Sequence, residues 1–181
     1  MNVVLIGYRG TGKSSVGRLL ARRWDCPFVD LDDEIERRAG MTIAEIFAAE
    51  GEPGFRRRES TVVQDVSGRD RHVIATGGGA VVDTDNRSAL THCGRVVWLK
   101  ASPQSIHVRI SADAATSARR PNLTASGGLE EIERVLGTRT PIYDAAADLT
   151  IDTEGKSPQD VADAIVARLG WDTLPAGGET A

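Results

Sequence analysis

Cysteine is nearly absent: the 181 residues hold two, Cys26 and Cys93. Two cysteines in a chain of this length make no disulfide framework, and a reduced, cytoplasmic protein is expected. Histidine is as scarce. His72, His92 and His107 are scattered and share no ligand spacing with the cysteines, so no histidine metal site is expected. Aromatic residues make up 4%, too few for a platform on which single-stranded bases stack. Basic residues are not in excess either: 22 Lys and Arg stand against 26 acids, and a net charge of −4 argues against general nucleic-acid binding. No apolar run reaches the roughly 18–20 residues of a membrane span, and no basic segment with an apolar core opens the chain. Neither export nor membrane insertion is expected. What remains is 40% hydrophobic and 27% charged, which fits one globular domain over residues 1–171 with a disordered tail at 172–181.

Against that plain background one segment stands out. Gly7-Tyr8-Arg9-Gly10-Thr11-Gly12-Lys13-Ser14 fits G-x-x-x-x-G-K-[ST], the phosphate-binding loop. Asn2-Val3-Val4-Leu5-Ile6 before it reads as a buried strand. Val16, Leu19 and Leu20 after it have helical spacing. A strand, a glycine turn and a helix N-terminus make a cradle for phosphate. The glycines let backbone N–H groups of Gly10, Thr11, Gly12, Lys13, Ser14 and Ser15 face inward, and the helix dipole adds positive charge. Lys13 can reach the β- and γ-phosphates, and Ser14 can offer its hydroxyl to Mg²⁺. Read as a loop residue, Lys13 should matter to turnover and little to folding.

Further along, strand-like and helix-like segments alternate. Phe28-Val29-Asp30 reads as a second strand, with a short helix from Asp33 to Ala39 closed by Gly40. Thr42 and Glu45 form a capping box for the next helix, and Gly54 to Val66 reads as another. His72 to Thr76, Arg95 to Leu99 and Leu149 to Asp152 complete five strands. Residues 112–128 are small and polar and read as a mobile loop, with a lid at 112–126. Leu129 to Ala147 reads as helix interrupted near Gly137 and Pro141, and Ser157-Pro158 opens the last helix. Alternation of this kind implies parallel βαβ units, hence a three-layer α/β sandwich with ligands beyond the carboxyl ends of the strands.

Several strand ends carry chemistry. Asp30 and Asp32 follow the second strand, and alternation along an extended segment puts both on the cleft side, with Asp33 opening the helix. A kinase needs one carboxylate near its metal and another near the hydroxyl it phosphorylates. The plainer reading of these aspartates is a helix N-cap. Of Arg56, Arg57 and Arg58, successive residues point about 100° apart, so one can face the cleft while the others are solvated. Glu59, about one turn beyond Arg56, can hold that guanidinium as a fork for a carboxylate. Gly77, Gly78 and Gly79 let backbone amides approach a small polar ligand. Arg120, beside Arg119 and before Pro121, and Arg139, before Pro141-Ile142-Tyr143, are candidate anion ligands.

Taken in order, these segments resemble the shikimate kinases. The resemblance runs from residue 1 to about 170 and rests on Gly7 to Ser14, Phe28 to Asp32, Ile43 to Phe47, Phe55 to Glu59, Gly77 to Gly79, Arg120-Pro121, and Arg139 with Pro141 to Tyr143. It implies a P-loop fold like that of the nucleoside-monophosphate kinases, with a five-stranded parallel sheet ordered 2-3-1-4-5 and a substrate-binding helical segment near 32–62. It implies transfer of the γ-phosphate of ATP to the 3-hydroxyl of shikimate, in chorismate biosynthesis, by a monomer using ATP and Mg²⁺. By the same resemblance Lys13 binds phosphate, Ser14 and Asp30 serve the metal, and Asp32 binds and helps activate the shikimate hydroxyl. Arg56 and Arg139 grip the carboxylate, Gly77, Gly78 and Gly79 close on the ring, and Arg120 is the lid arginine. Arg109, Lys156 and Pro158 match the approximate place of the adenine pocket. The lid departs from the common Arg-Pro-Leu form, since Asn122 separates Pro121 from Leu123.

Two other readings fit parts of the chain. A gluconate-type kinase shares the fold and a carboxylate-bearing acceptor, but lacks the combination of Phe55 to Glu59 with Gly77 to Gly79. A non-catalytic nucleotide-binding module predicts erosion of Lys13, Asp30 or Arg120, and none is eroded.

Overall fold

Asn2–Ile6 (β1) is buried at every residue, the signature of a strand covered on both faces, and it lies at the centre of the sheet. The computed structural model describes residues 1–112 and 128–175. After β1 the chain runs through α1 (Lys13–Arg23), β2 (Phe28–Asp30), α2 (Leu31–Ala39), α3 (Ile43–Ser67) and β3 (Val73–Ala75). A 3₁₀ turn at Ala80–Val82 leads to α4 (Thr84–Cys93), β4 (Gly94–Lys100) and α5 (Pro103–Ala112). Then come α6 (Gly128–Ala146), β5 (Leu149–Asp152) and α7 (Pro158–Leu169). The five strands are parallel and ordered β2-β3-β1-β4-β5. The expected three-layer sandwich and strand order are both present.

Alternation along β1 sends Val4 and Ile6 to one face and Val3 and Leu5 to the other. The first face is covered by α2, α3, α4 and α6 through Leu31, Ile35, Phe55, Val63, Leu90 and Tyr143. The second is covered by α1 and α7 through Val16, Leu20, Val161 and Ile165. Burial of these aliphatic side chains, each worth roughly 1.5–3 kcal/mol, holds the strand ends in fixed register.

Three local readings need correction. The chain turns helical at Leu31, not Asp33. Asp30 is the N-cap, accepting from the Asp32 N–H, so Asp32 lies in the first turn of α2 and not on an extended strand. α6 runs through Gly137 and Pro141 without a break. Its buried anchors Ile132 and Tyr143 lie on either side of the proline, and their packing outweighs one missing hydrogen bond. The polar segment 84–93, where the sequence suggests no element, forms α4, with Asp83 as its cap and only Leu90 and Asn86 buried, a weak apolar pattern. Residues 172–175, expected in the tail, include Leu174, which is buried against the second face, and the Trp24 indole donates to the Trp171 carbonyl at 3.1 Å. The capping box at Thr42 and Glu45 is present, and α3 bends at Gly51, whose φ of 66° and ψ of −176° separate its two expected halves.

Candidate active site

The phosphate loop joins β1 to α1. Gly12 occupies the N-cap of α1 with φ 92°, a left-handed conformation that side chains resist. Thr11 is buried and its hydroxyl donates to the Tyr8 carbonyl at 2.8 Å. Lys13 is 8% exposed, and its ammonium donates to the carbonyls of Gly7 at 2.9 Å and Tyr8 at 2.8 Å. Lys13 opens α1, as the sequence indicated, and is also a buried brace across the loop, where little part in folding was expected. Ser15 is exposed one position beyond Ser14.

The Ser14 hydroxyl donates to Oδ2 of Asp30 at 2.5 Å, which joins the phosphate loop to the end of β2. Oδ1 of Asp30 accepts from the Asp32 N–H at 3.0 Å. Burial pushes the Asp30 carboxyl above its ordinary range; the Asp32 charge adds to this, and the Ser14 hydrogen bond opposes it. Asp32 is half-buried, one half-turn further on.

Gly77, Gly78 and Gly79 follow β3, whose end is held by Thr76: its N–H and hydroxyl both donate to the Leu5 carbonyl, at 3.0 and 3.1 Å. All three glycines are buried. A Cβ on Gly78 would stand 3.4 Å from both the Arg9 nitrogen and the Gly7 oxygen, so the glycine loop lies directly against the phosphate loop. A Cβ on Gly79 would stand 2.8 Å from Nη1 of Arg56. Arg56 is itself held in place. Nη1 donates to Glu59 at 2.6 Å, and Nε and Nη2 donate to Glu52 at 3.2 and 3.0 Å. Arg57 is exposed and Arg58 pairs with Glu50, so of the three consecutive arginines Arg56 alone meets the glycine loop.

Arg139 is half-buried on α6. Its charge reaches the Tyr8 hydroxyl, which burial raises and the Arg9 and Arg139 guanidinia lower. One turn beyond, Tyr143 donates to the Gly78 carbonyl at 2.5 Å. On α5, Arg109 donates to the hydroxyl and carbonyl of Thr153 at 2.9 and 2.7 Å. Lys156 lies on the same β5–α7 loop, exposed, with its ammonium on the Asp152 carbonyl at 2.7 Å. Arg119, Arg120 and all but the first residue of the expected lid lie outside the described residues.

The structure therefore brings Lys13, Ser14, Asp30, Arg56 and the three glycines around the ends of β1, β2 and β3, beneath α6 with Arg139. The model of the shikimate kinase family matches residues 9–170. The chain belongs to the shikimate kinase family. Family relatives include the shikimate kinase of Symbiobacterium thermophilum, 47% identical over 169 residues that cover 93% of this chain and 96% of that one. The shikimate kinase of Rhodopirellula baltica is 46% identical over 88% of this chain and 86% of its own. Among solved structures, the family member from Acinetobacter baumannii, in complex with shikimate, superposes with a TM-score of 0.88 at 36% identity, covering 96% of this chain and 95% of that one.

Within this family site, sequence reasoning missed the second anchor of Arg56. Glu52 precedes it by four residues, the spacing of a helical ion pair, and that signal was readable. The Tyr143 bond to Gly78 spans 65 positions and left no local trace.

Proposed function

We propose that this chain acts as a shikimate kinase, moving the γ-phosphate of ATP to the 3-hydroxyl of shikimate to give shikimate 3-phosphate and ADP. The observation that carries this reading is the position of the Arg56 guanidinium. It lies against a glycine loop that abuts the phosphate loop, so a fork for a carboxylate sits one loop away from a phosphate cradle. Residues 10–15 bind the phosphates through backbone N–H groups, with Lys13 following the transferring group. Arg56 and Arg139 take the acid of shikimate, and backbone amides of Gly77, Gly78 and Gly79 close on its ring. Asp32, in the first turn of α2, accepts from the ring hydroxyls and draws the proton from the attacking one. Arg120 is assigned to the transferring phosphate from its place before Pro121.

Ser14 and Asp30 offer a hydroxyl and a carboxylate 2.5 Å apart, an all-oxygen donor pair of the kind Mg²⁺ takes beside nucleotide phosphates. When bound, the cation neutralises phosphate charge. The penalty on the ionised form of buried Asp30 suits this assignment, because a nearby cation relieves it. Arg109, Lys156 and the Thr153–Pro158 loop border the adenine. We take the enzyme to act as a monomer, and the free thiols of Cys26 and Cys93 support a reducing, cytoplasmic setting.

A coupled assay for ADP formation tests the reading: release should depend on both shikimate and Mg²⁺. Turnover with gluconate in place of shikimate, or ADP release indifferent to acceptor, would refute it.

A further inference from the structure

α6 is pinned to the ligand loops at both ends. In its first turn, Glu131, whose side chain is fully buried, accepts from Nη2 of Arg9 in the phosphate loop at 3.2 Å. In its last turn, Tyr143 donates to Gly78 in the glycine loop. Arg139 lies between these pins, about 12 Å beyond Glu131 and about 6 Å before Tyr143 along the helix axis. The rest of this end of α6 is held by Ile132 in a small apolar cluster with Tyr8, Ala101 and Ile106, with half-buried Val135 and Leu136 packed against it. Apolar packing is non-directional and tolerates rotation, whereas a charge-assisted hydrogen bond fixes both rotation and height. Arg9 is well placed to be the fixed partner: its side chain is 15% exposed, and its guanidinium lies 5.9 Å from the centre of the Tyr8 ring.

We propose that Arg9 and Glu131 are positioning residues, whose buried ion pair sets the rotation and height of α6 so that Arg139 meets the carboxylate of the acceptor. The proposal rests on the reading of Arg139 given above. It also gives the second variable position of the phosphate loop a task directed at the acceptor and not at the nucleotide.

The test uses the full-length protein with Arg9→Gln, Glu131→Gln and the double variant, assayed with shikimate and with its carboxamide analogue. Each single variant should raise KM for shikimate about tenfold while kcat and KM for ATP stay within about twofold. The double variant should be no worse than the worse single, as befits one interaction. With the carboxamide, which lacks the charge that Arg139 would meet, KM should move less than about twofold. An equal penalty for both acceptors would mark a merely structural pair and overturn the proposal. So would a rise in KM for ATP matching that for shikimate, or single effects that multiply in the double. Should Glu131→Gln not fold, Arg9→Gln, altered at the more exposed partner, decides the matter with the same two acceptors. Arg139→Ala separates the two levels of argument. If it leaves KM for shikimate unchanged, the carboxylate reading fails; if it raises KM while Arg9→Gln does not, only the pin fails.

Discussion

Nη1 of Arg56 lies 2.8 Å from the position that a Cβ on Gly79 would occupy. The clash falls on the end of a side chain and not on backbone, so Gly79→Ala should fold and displace the guanidinium from its place. KM for shikimate should rise about tenfold or more with KM for ATP nearly unchanged. Thermal melting close to that of the wild type, alongside the altered KM, checks the assignment; a large loss of melting temperature would point to a packing role instead.

Arg56→Lys keeps the charge and loses the fork that spans Glu59 and Glu52. A charge-assisted hydrogen bond contributes roughly 1.5–3 kcal/mol, so shikimate affinity should fall about ten- to a hundredfold. Isothermal titration with shikimate and, separately, with ADP reads the difference. Equal losses for both ligands would remove Arg56 from the acceptor site.

Lys13→Met should damage both catalysis and stability. Turnover should fall by about two to three orders of magnitude, as for other groups that stabilise transferring charge. The Gly7 and Tyr8 carbonyls also lose their shared donor in a buried loop, a loss of roughly 1–3 kcal/mol. Melting temperature should therefore drop by several degrees. A variant that is inactive yet melts unchanged would show that the brace contributes nothing.

Much of this site was legible because its chemistry is local. The phosphate loop, the Asp30–Asp32 pair, Phe55 to Glu59 and the triple glycine each lie within eight residues of sequence, and strand alternation places their ends on one edge. What was not legible depends on partners far away. Lys13 becomes a buried brace only because its loop folds back over its own helix, and Pro141 is tolerated only because Ile132 and Tyr143 are packed elsewhere. Asp30 is legible only in part: the sequence offers a helix cap or a metal-side carboxylate, and the folded chain has one oxygen capping α2 and the other meeting Ser14.

Asp30 also makes a pH-dependent prediction. Its carboxyl is raised in the folded protein by burial and by Asp32, so the folded state holds its proton more tightly than the unfolded chain. That contribution is present below the ordinary carboxylate value and is lost as pH rises through the raised one. At neutral pH the ionised group is a cost to the ligand-free protein, and Asp30→Asn should remove it. Differential scanning calorimetry without metal should show the variant melting higher than the wild type. Its kinase activity should be lost. A lower melting temperature for Asp30→Asn at neutral pH would overturn this account.

The two faces of the sheet divide the labour of the enzyme. α1, which opens on the phosphate cradle, packs on one face with α7; α2, α3 and α6, which carry Asp32, Arg56 and Arg139, pack on the other. On the proposed roles, donor and acceptor recognition rest on two cores that meet at the strands, at the Tyr8–Ile132 cluster and at the Arg9–Glu131 ion pair. A designer, or natural divergence, can rebuild one with little retuning of the other so long as those two contacts are kept. New acceptors are therefore best sought by repacking the α2, α3 and α6 layer as an exchangeable cassette, with the nucleotide half left as it stands.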